Sequence, residues 1–257
     1  MDLLVVGAGE MGRWVADTMT AAAAPVDAAV TFTDRDPAVA ADAARSRDAE
    51  VVSADTEATF DAVCLAVPMS AVPDAAAGYA GRAEHALFDV SGEMTAAVDA
   101  LREHGPDLER ASYHPLFAPP RVPGNVAAVI DNDGPHVAAI ADAIEAGGND
   151  VFETTADEHD RAMETVQAGA HAAVLAWRLA GDDVREEFHT PVSRALDGVA
   201  DTVTEGSPAV YAEIQRAFDG AAGVADAAGE IAAADAERFA ELYEAARGDG
   251  STRERHE

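Results

Sequence analysis

The titratable group best placed for proton transfer is the histidine of Ser112-Tyr113-His114-Pro115-Leu116-Phe117-Ala118-Pro119-Pro120. It follows a short apolar run, and a neutral imidazole there can accept a proton from a hydroxyl as hydride leaves the same carbon. A loop histidine held only for structure is the alternative. A coenzyme site is suggested at the N-terminus, where Gly7, Gly9 and Gly12 stand at G-x-G-x-x-G spacing with Glu10 and Met11 inside the motif. Gly7 allows a sharp turn out of a strand, and Gly9 has no side chain to keep a pyrophosphate away. Gly12 lets a helix pack closely on the sheet while the free N–H groups of that helix face the anion. Asp34 ends the next apolar run, at the distance where an acidic residue reaches a ribose 2′-hydroxyl. Its charge favours NAD, because it would repel a 2′-phosphate; Arg35 beside it keeps NADP open. Gln167 and His171, four residues apart, share one face of a helical stretch, which by itself reads as a histidine packed at a helix interface.

These groups need elements to position them. Leu3-Leu4-Val5-Val6 is an apolar run of the kind a buried parallel strand needs, and Met11, Trp14, Val15 and Met19 recur at helical intervals after it. Strands are expected at 28–32, 51–52, 60–67, 86–90, 111–113, 126–130 and 151–152, alternating with helices at 37–45, 95–104 and 136–146. That rhythm predicts an α/β fold with a Rossmann-type doubly wound sheet over 1–153, whose ligands sit at the C-terminal ends of the strands. From 154 to 247 no strand is visible. Helices are expected at 157–180, 192–203, 208–220 and 224–247, followed by a flexible tail over 248–257. So small an Ala-rich helical domain is expected to pack on the first domain and on a second copy of itself, giving a homodimer.

Charge narrows the partners. The chain has 257 residues, with 48 acidic against 17 basic and a net charge of −31; every basic residue other than histidine is arginine. Such a surface repels nucleic acid and anionic membranes, and its self-repulsion is relieved by molar salt. The expectation is a cytoplasmic protein of a salt-accumulating halophile. No signal peptide is visible, and no apolar run approaches the ~18 residues of a membrane span. Cys64, the single cysteine, lies in an apolar run and reads as a buried small hydrophobe. The histidines lack ligand spacing with one another, so no metal site is indicated.

Several segments, in order along the chain, resemble the prephenate dehydrogenase family. They are Asp89-Val90-Ser91-Gly92, Ser112-Tyr113-His114-Pro115-Leu116-Phe117, Asp157-Glu158-His159-Asp160-Arg161 followed by Gln167 and His171, Phe188-His189-Thr190-Pro191, and 207–214. The resemblance implies NAD-dependent oxidative decarboxylation of prephenate, or of arogenate, in tyrosine synthesis. The substrate would be a cyclohexadienyl dicarboxylate. By matching position, His114 would take the hydroxyl proton, and Ser91 would orient it or the substrate. Pro68 and Met69 would shape the nicotinamide side, while His171, Gln167 and Tyr211 would contact substrate. His159 and Asp160 match as well, and near a helix start they can simply cap it.

Two positions depart from that pattern. Family members commonly carry Ser-Val-Lys where this chain has Ser91-Gly92-Glu93. The arginine that usually grips a substrate carboxylate is replaced by Thr202, leaving Arg121 and Arg194 as candidate cations. Two other readings stay open: a different two-domain dehydrogenase or imine reductase, and a nicotinamide-binding regulator without catalysis.

Overall fold

In a computed structural model, residues 1–118 and 122–248 are described. They form two compact units, Met1–Ala162 and Met163–Glu257.

The first unit is built on β1 (Asp2–Val6), whose Leu3, Leu4 and Val5 are wholly buried. Around it lie β2 (Ala29–Thr33), β3 (Glu50–Val51), β4 (Phe60–Leu65), β5 (Ala83–Asp89), β6 (Glu109–Pro115), β7 (Asn125–Asn132) and β8 (Asp150–Glu153), in the order β3-β2-β1-β4-β5-β6-β7-β8. Every neighbouring pair is parallel except β6 and β7, which run antiparallel with His114 opposite Ala127. The connecting helices are α1 (Glu10–Met19), α2 (Pro37–Arg45), α3 (Val72–Tyr79), α4 (Met94–His104) and α5 (Pro135–Ala146).

Strand alternation sends side chains to two layers. Leu3, Val5, Cys64, Phe88 and Tyr113 pack with Trp14 of α1, Ala43 of α2 and Ile140 of α5. Leu4, Val6, Val63, Leu65 and Leu87 pack on the opposite face with Ala76 of α3 and Leu101 of α4. Each fully buried Leu contributes about 2 kcal/mol by leaving water, so the sheet holds its C-terminal edge firmly. Helix α3 has no counterpart in the sequence expectation, because Pro73 and Gly78 sit inside a run that reads as a loop. The unit closes with α6 (Ala156–Met163).

In the second unit all the described elements are helical. The stretch expected as one helix over 157–180 is instead α6, a π-helical turn at Glu164–Gly169 and α7 (Ala170–Ala180). The widened turn uses its carbonyls on neighbours: Ala168 O accepts Gln215 Nε2 at 2.9 Å, and the Gly220 backbone lies against Glu164 O, where a Cβ would collide. Next come α8 (Pro191–Thr204), α9 (Pro208–Ala217), α10 (Gly220–Ala233) and α11 (Ala236–Arg247). The helix expected over 224–247 is divided because Asp235 caps α11, its carboxylate accepting Arg238 N–H at 2.9 Å. Among the described residues, no helix is long and apolar enough to cross a membrane. Most of the expected tail, residues 249–257, lies outside the described residues.

Candidate active site

The glycine motif sits where β1 passes into α1. Gly7 has φ +99° and donates its N–H to Thr33 O at 2.8 Å; a side chain there would strike the Ala66 carbonyl. A Cβ on Gly12 would strike the Gly7 carbonyl, whereas one on Gly9 would meet nothing within 4 Å. Two glycines are therefore required by packing, and the third leaves an open approach to the N-terminus of α1. The Asp34 carboxylate turns back on the loop: Oδ2 accepts Ala8 N–H at 2.8 Å and Oδ1 accepts Asp36 N–H at 2.9 Å. Asp34 thus fixes the shape of the glycine turn. Arg35 and Glu10 are exposed, and Met11 is half-buried.

His114 is the penultimate residue of β6, three strands from β1, or about 14 Å across the sheet. Its Nδ1 lies 2.9 Å from Nε2 of His159, whose Nδ1 lies 2.8 Å from Asp160 Oδ1. Asp160 is itself fixed at the first turn of α4, where its oxygens accept Met94 N–H at 3.0 Å and Thr95 N–H at 2.9 Å. The carboxylate can only accept, so His159 carries its proton on Nδ1 and accepts at Nε2 from His114. That ordering places the lone pair of neutral His114 on Nε2, the atom 3.5 Å from where a Gly92 Cβ would stand. Met69 Sδ lies 3.0 Å from the same point, so Gly92 leaves room between the sulfur and the imidazole.

Burial, and secondarily His159, lower the His114 pKa to about 3, with Asp160 acting in the opposite direction. The Asp160 pKa falls to about 2: burial would raise it, but hydrogen bonds from His159 and the start of α4 outweigh that. The capping expected of His159 and Asp160 is met in part and in another place. Asp160 caps α4, and His159, 3% exposed, positions His114.

Ser91 turns the chain out of β5. Its N–H is accepted by Asp89 Oδ2 at 2.8 Å, and its hydroxyl donates to Glu93 O at 3.1 Å. Asp89 is fully buried, and burial raises its pKa to about 6 against the hydroxyls of Ser91 and Ser112. Its Oδ1 has no hydrogen-bond partner among the described residues. Sequence reasoning did not single out Asp89 or assign His159 its contact with His114. An acid two residues before the serine turn was the available signal for the first, and nothing local signals the second. Pro68 precedes the 3-10 turn Met69–Ala71 at the end of β4.

In the second unit, the His171 and Tyr211 rings meet edge to face with centroids 4.7 Å apart. His171 Nδ1 is buried with no hydrogen-bond partner among the described residues, and burial lowers its pKa. Gln167 lies in the π turn, half-buried. Tyr211 also borders a cavity of about 350 Å³ lined by Leu175, Val203, Pro208 and Gln215. Arg194 pairs with Glu186 at 3.1 Å on the surface, and Thr202 is exposed with its hydroxyl on Gly198 O. Arg121 lies outside the described residues.

As for metals, one trio among the described residues, Asp61, Glu84 and His85, brings ligand-type atoms within 4.8 Å of one another. It lies at the starts of β4 and β5, the opposite end of those strands from Ser91.

No protein-family model matches the chain. It is 31% identical over 269 residues to a 4-amino-4-deoxyprephenate dehydrogenase of Streptomyces pristinaespiralis, spanning 96% of this chain and 90% of that protein. Among solved structures, its fold is similar to that of a prephenate dehydrogenase from A. aeolicus in complex with hydroxyphenyl propionate and NAD+. The TM-score is 0.70 at 15% identity, covering 96% of this chain and 95% of the other. A Synechocystis arogenate dehydrogenase is similar at TM-score 0.66 and 16% identity, covering 98% and 99%.

Proposed function

The chain belongs to the prephenate dehydrogenase family, and on that premise we propose that it catalyses NAD-dependent oxidative decarboxylation of a cyclohexadienyl diacid, as in tyrosine biosynthesis. Prephenate and arogenate, with a ring hydroxyl, are the substrates implied by the family; the Streptomyces relative is named for one with an amino group in its place. The observation that carries the reading is the chain Asp160–His159–His114 at the C-terminal edge of the sheet. It presents a neutral imidazole as a proton acceptor at the end of the sheet where a doubly wound fold binds its ligands.

The coenzyme would be held by the turn of Gly7, Gly9 and Gly12 at the start of α1, with Glu10 and Met11 beside it and Asp34 shaping the turn. The open approach at Gly9 and the unused N–H groups of the helix fit a pyrophosphate. When bound, oxidised NAD supplies the hydride acceptor. His114 Nε2 takes the proton of the substituent on the carbon that loses hydride, and Asp160 favours the resulting imidazolium. Ser91 and Met69 line the His114 side. Gln167, His171 and Tyr211 contact substrate, and Arg194 or Arg121 would meet a carboxylate.

Helices α7, α10 and α11 bury no residue within the chain, although α10 is largely apolar. These uncovered faces support a homodimer, in which a second copy would cover them. The net charge of −31 supports a cytoplasmic protein adapted to molar salt.

The test is to mix purified protein with prephenate and NAD in multimolar KCl and follow NADH absorbance. Turnover lost in His114→Ala supports the reading. Tight NAD binding without oxidation of any cyclohexadienyl substrate would leave a regulatory protein instead.

A further inference from the structure

Asp89 is the last residue of β5 and is fully buried, yet the scheme above gives it no part. A carboxylate is costly to bury unless its oxygens are used, and Asp89 spends one of them on the turn beside the base. Its Oδ2 accepts the Ser91 N–H at 2.8 Å, and the Ser91 hydroxyl in turn donates to Glu93 O at 3.1 Å. The residues on both sides of Gly92 are thereby tied down. Between those ties Gly92 is set against His114: a Cβ on it would stand 3.0 Å from Met69 Sδ and 3.5 Å from His114 Nε2. Gly92 lacks the positive φ that would call for glycine in its own right, so what it contributes there is room. The second oxygen, Oδ1, and the hydroxyl of Ser112, the partner of Asp89 across the β5–β6 ladder, are buried without a hydrogen-bond partner among the described residues. Ser112 stands two residues before His114 on the same face of β6. Asp89 therefore adjoins both segments that flank the base, the Ser91-Gly92 turn and β6 itself.

We propose that Asp89 is a positioning residue for the reaction: acting through the Ser91 N–H, it holds the Gly92 backbone at the spacing from His114 Nε2 that the reacting substituent of the substrate needs. This rests on the function proposed above. A charged acceptor makes a shorter and stronger bond to a backbone N–H than a neutral one. Without it the turn is free to shift, and a misplacement of about 1 Å beside a reacting atom can cost about 10²-fold in rate. Asp89 itself has no exposed surface and does not reach the substrate. It therefore governs kcat, while KM and NAD affinity scarcely depend on it.

The experiment compares the wild type with Asp89→Asn, Asp89→Ala and Gly92→Ala in multimolar KCl. It reads kcat and KM by NADH absorbance with prephenate, or with arogenate where prephenate is not oxidised, and NAD affinity by calorimetry. Asp89→Asn keeps an oxygen for the Ser91 N–H and has an NH₂ to offer the Ser112 hydroxyl, so it should largely retain kcat. Asp89→Ala should lose at least about tenfold in kcat, with KM and NAD affinity near those of the wild type. Gly92→Ala places a methyl in the same space and should lose kcat likewise, again with NAD affinity kept. A folded Asp89→Ala with wild-type kcat overturns the proposal, as does a loss of kcat and NAD affinity in parallel. Equal losses in Asp89→Asn and Asp89→Ala also overturn it, because the charge and not the turn would then be what matters. If Asp89→Ala does not fold, unchanged kcat in Gly92→Ala overturns it. Oxidation of neither substrate by the wild type defeats the function itself, and this proposal with it.

Discussion

His114 and His159 stand 45 positions apart in sequence and share a 2.9 Å contact, Nδ1 to Nε2, with both side chains buried. The far nitrogen of His159 is held by Asp160 at 2.8 Å. Three residues from two elements therefore fix one tautomer of one base.

If His114 accepts the proton, His114→Ala should lower kcat by about 10²–10⁴-fold, the range typical of a general base. His159 acts through His114, so His159→Gln should leave KM for substrate nearly unchanged while lowering kcat. The pH profile separates this from a structural role. His159 lowers the His114 pKa and Asp160 raises it, burial being the larger effect throughout. The acid limb of kcat/KM should therefore move up in His159→Gln and down in Asp160→Asn. Limbs that stay put in both variants would remove the relay.

Stability against pH follows from the same groups. His114 falls from 6.5 to about 3 on folding, so the unfolded chain binds its proton first. Its contribution is whole above pH 6.5 and is lost as pH falls through 3. Asp89 rises from 3.8 to about 6, so its contribution is whole below pH 3.8 and is lost as pH rises through 6. Between pH 4 and 6 the two oppose each other. Asp89→Asn should therefore gain stability relative to wild type, by about 2 kcal/mol, between pH 4 and pH 7. Urea midpoints at both pH values measure the difference; a constant offset would mean that Asp89 is ionised throughout.

The features that could be read before folding are those carried by adjacent residues. Strand, glycine turn and helix lie side by side in residues 2–19, and the wholly buried Leu3 to Val5 match their apolar run. His114 stood out because a strand and a proline flank it. The antiparallel turn of β7 did not, since an apolar strand reads alike in either direction. The π turn also escaped, since Gly220, whose backbone lies against it, stands 51 positions beyond Gly169. The His114–His159 contact and the hold of Asp34 on Ala8 N–H are likewise products of tertiary folding, visible only once distant strands and helices meet.

The three glycines should respond differently to substitution. Gly9→Ala places its Cβ in open space, so the melting temperature should hold while NAD affinity falls about tenfold or more, the new methyl standing where a pyrophosphate approaches. Gly7→Ala combines a positive φ with a clash on the Ala66 carbonyl, and Gly12→Ala meets the Gly7 carbonyl. Both should lower the melting temperature before binding is considered. Thermal melts with and without NAD distinguish the cases; a Gly9→Ala variant with unchanged affinity would place the coenzyme elsewhere.

Salt should reorder the whole energy balance. At −31, carboxylates outnumber cations nearly threefold, and ion pairs such as Arg47 with Asp17 and Arg82 with Glu57 are partly exposed and neutralise only a fraction of the charge. Unfolding spreads the remaining like charges apart, so low ionic strength favours the unfolded chain. Raising KCl shortens the screening length from about 10 Å at 0.1 M to about 3 Å at 1 M, which weakens the long-range repulsion far more than the contacts near 3 Å. The urea midpoint should therefore climb steeply over the first molar of KCl and flatten beyond it, where screening is nearly complete. If the dimer forms through α7, α10 and α11, its dissociation constant should fall over the same range, since two such chains must approach each other. Sedimentation and urea titrations at 0.1, 1 and 3 M KCl measure both quantities, and greater stability at the lowest salt would contradict adaptation to a saline cytoplasm.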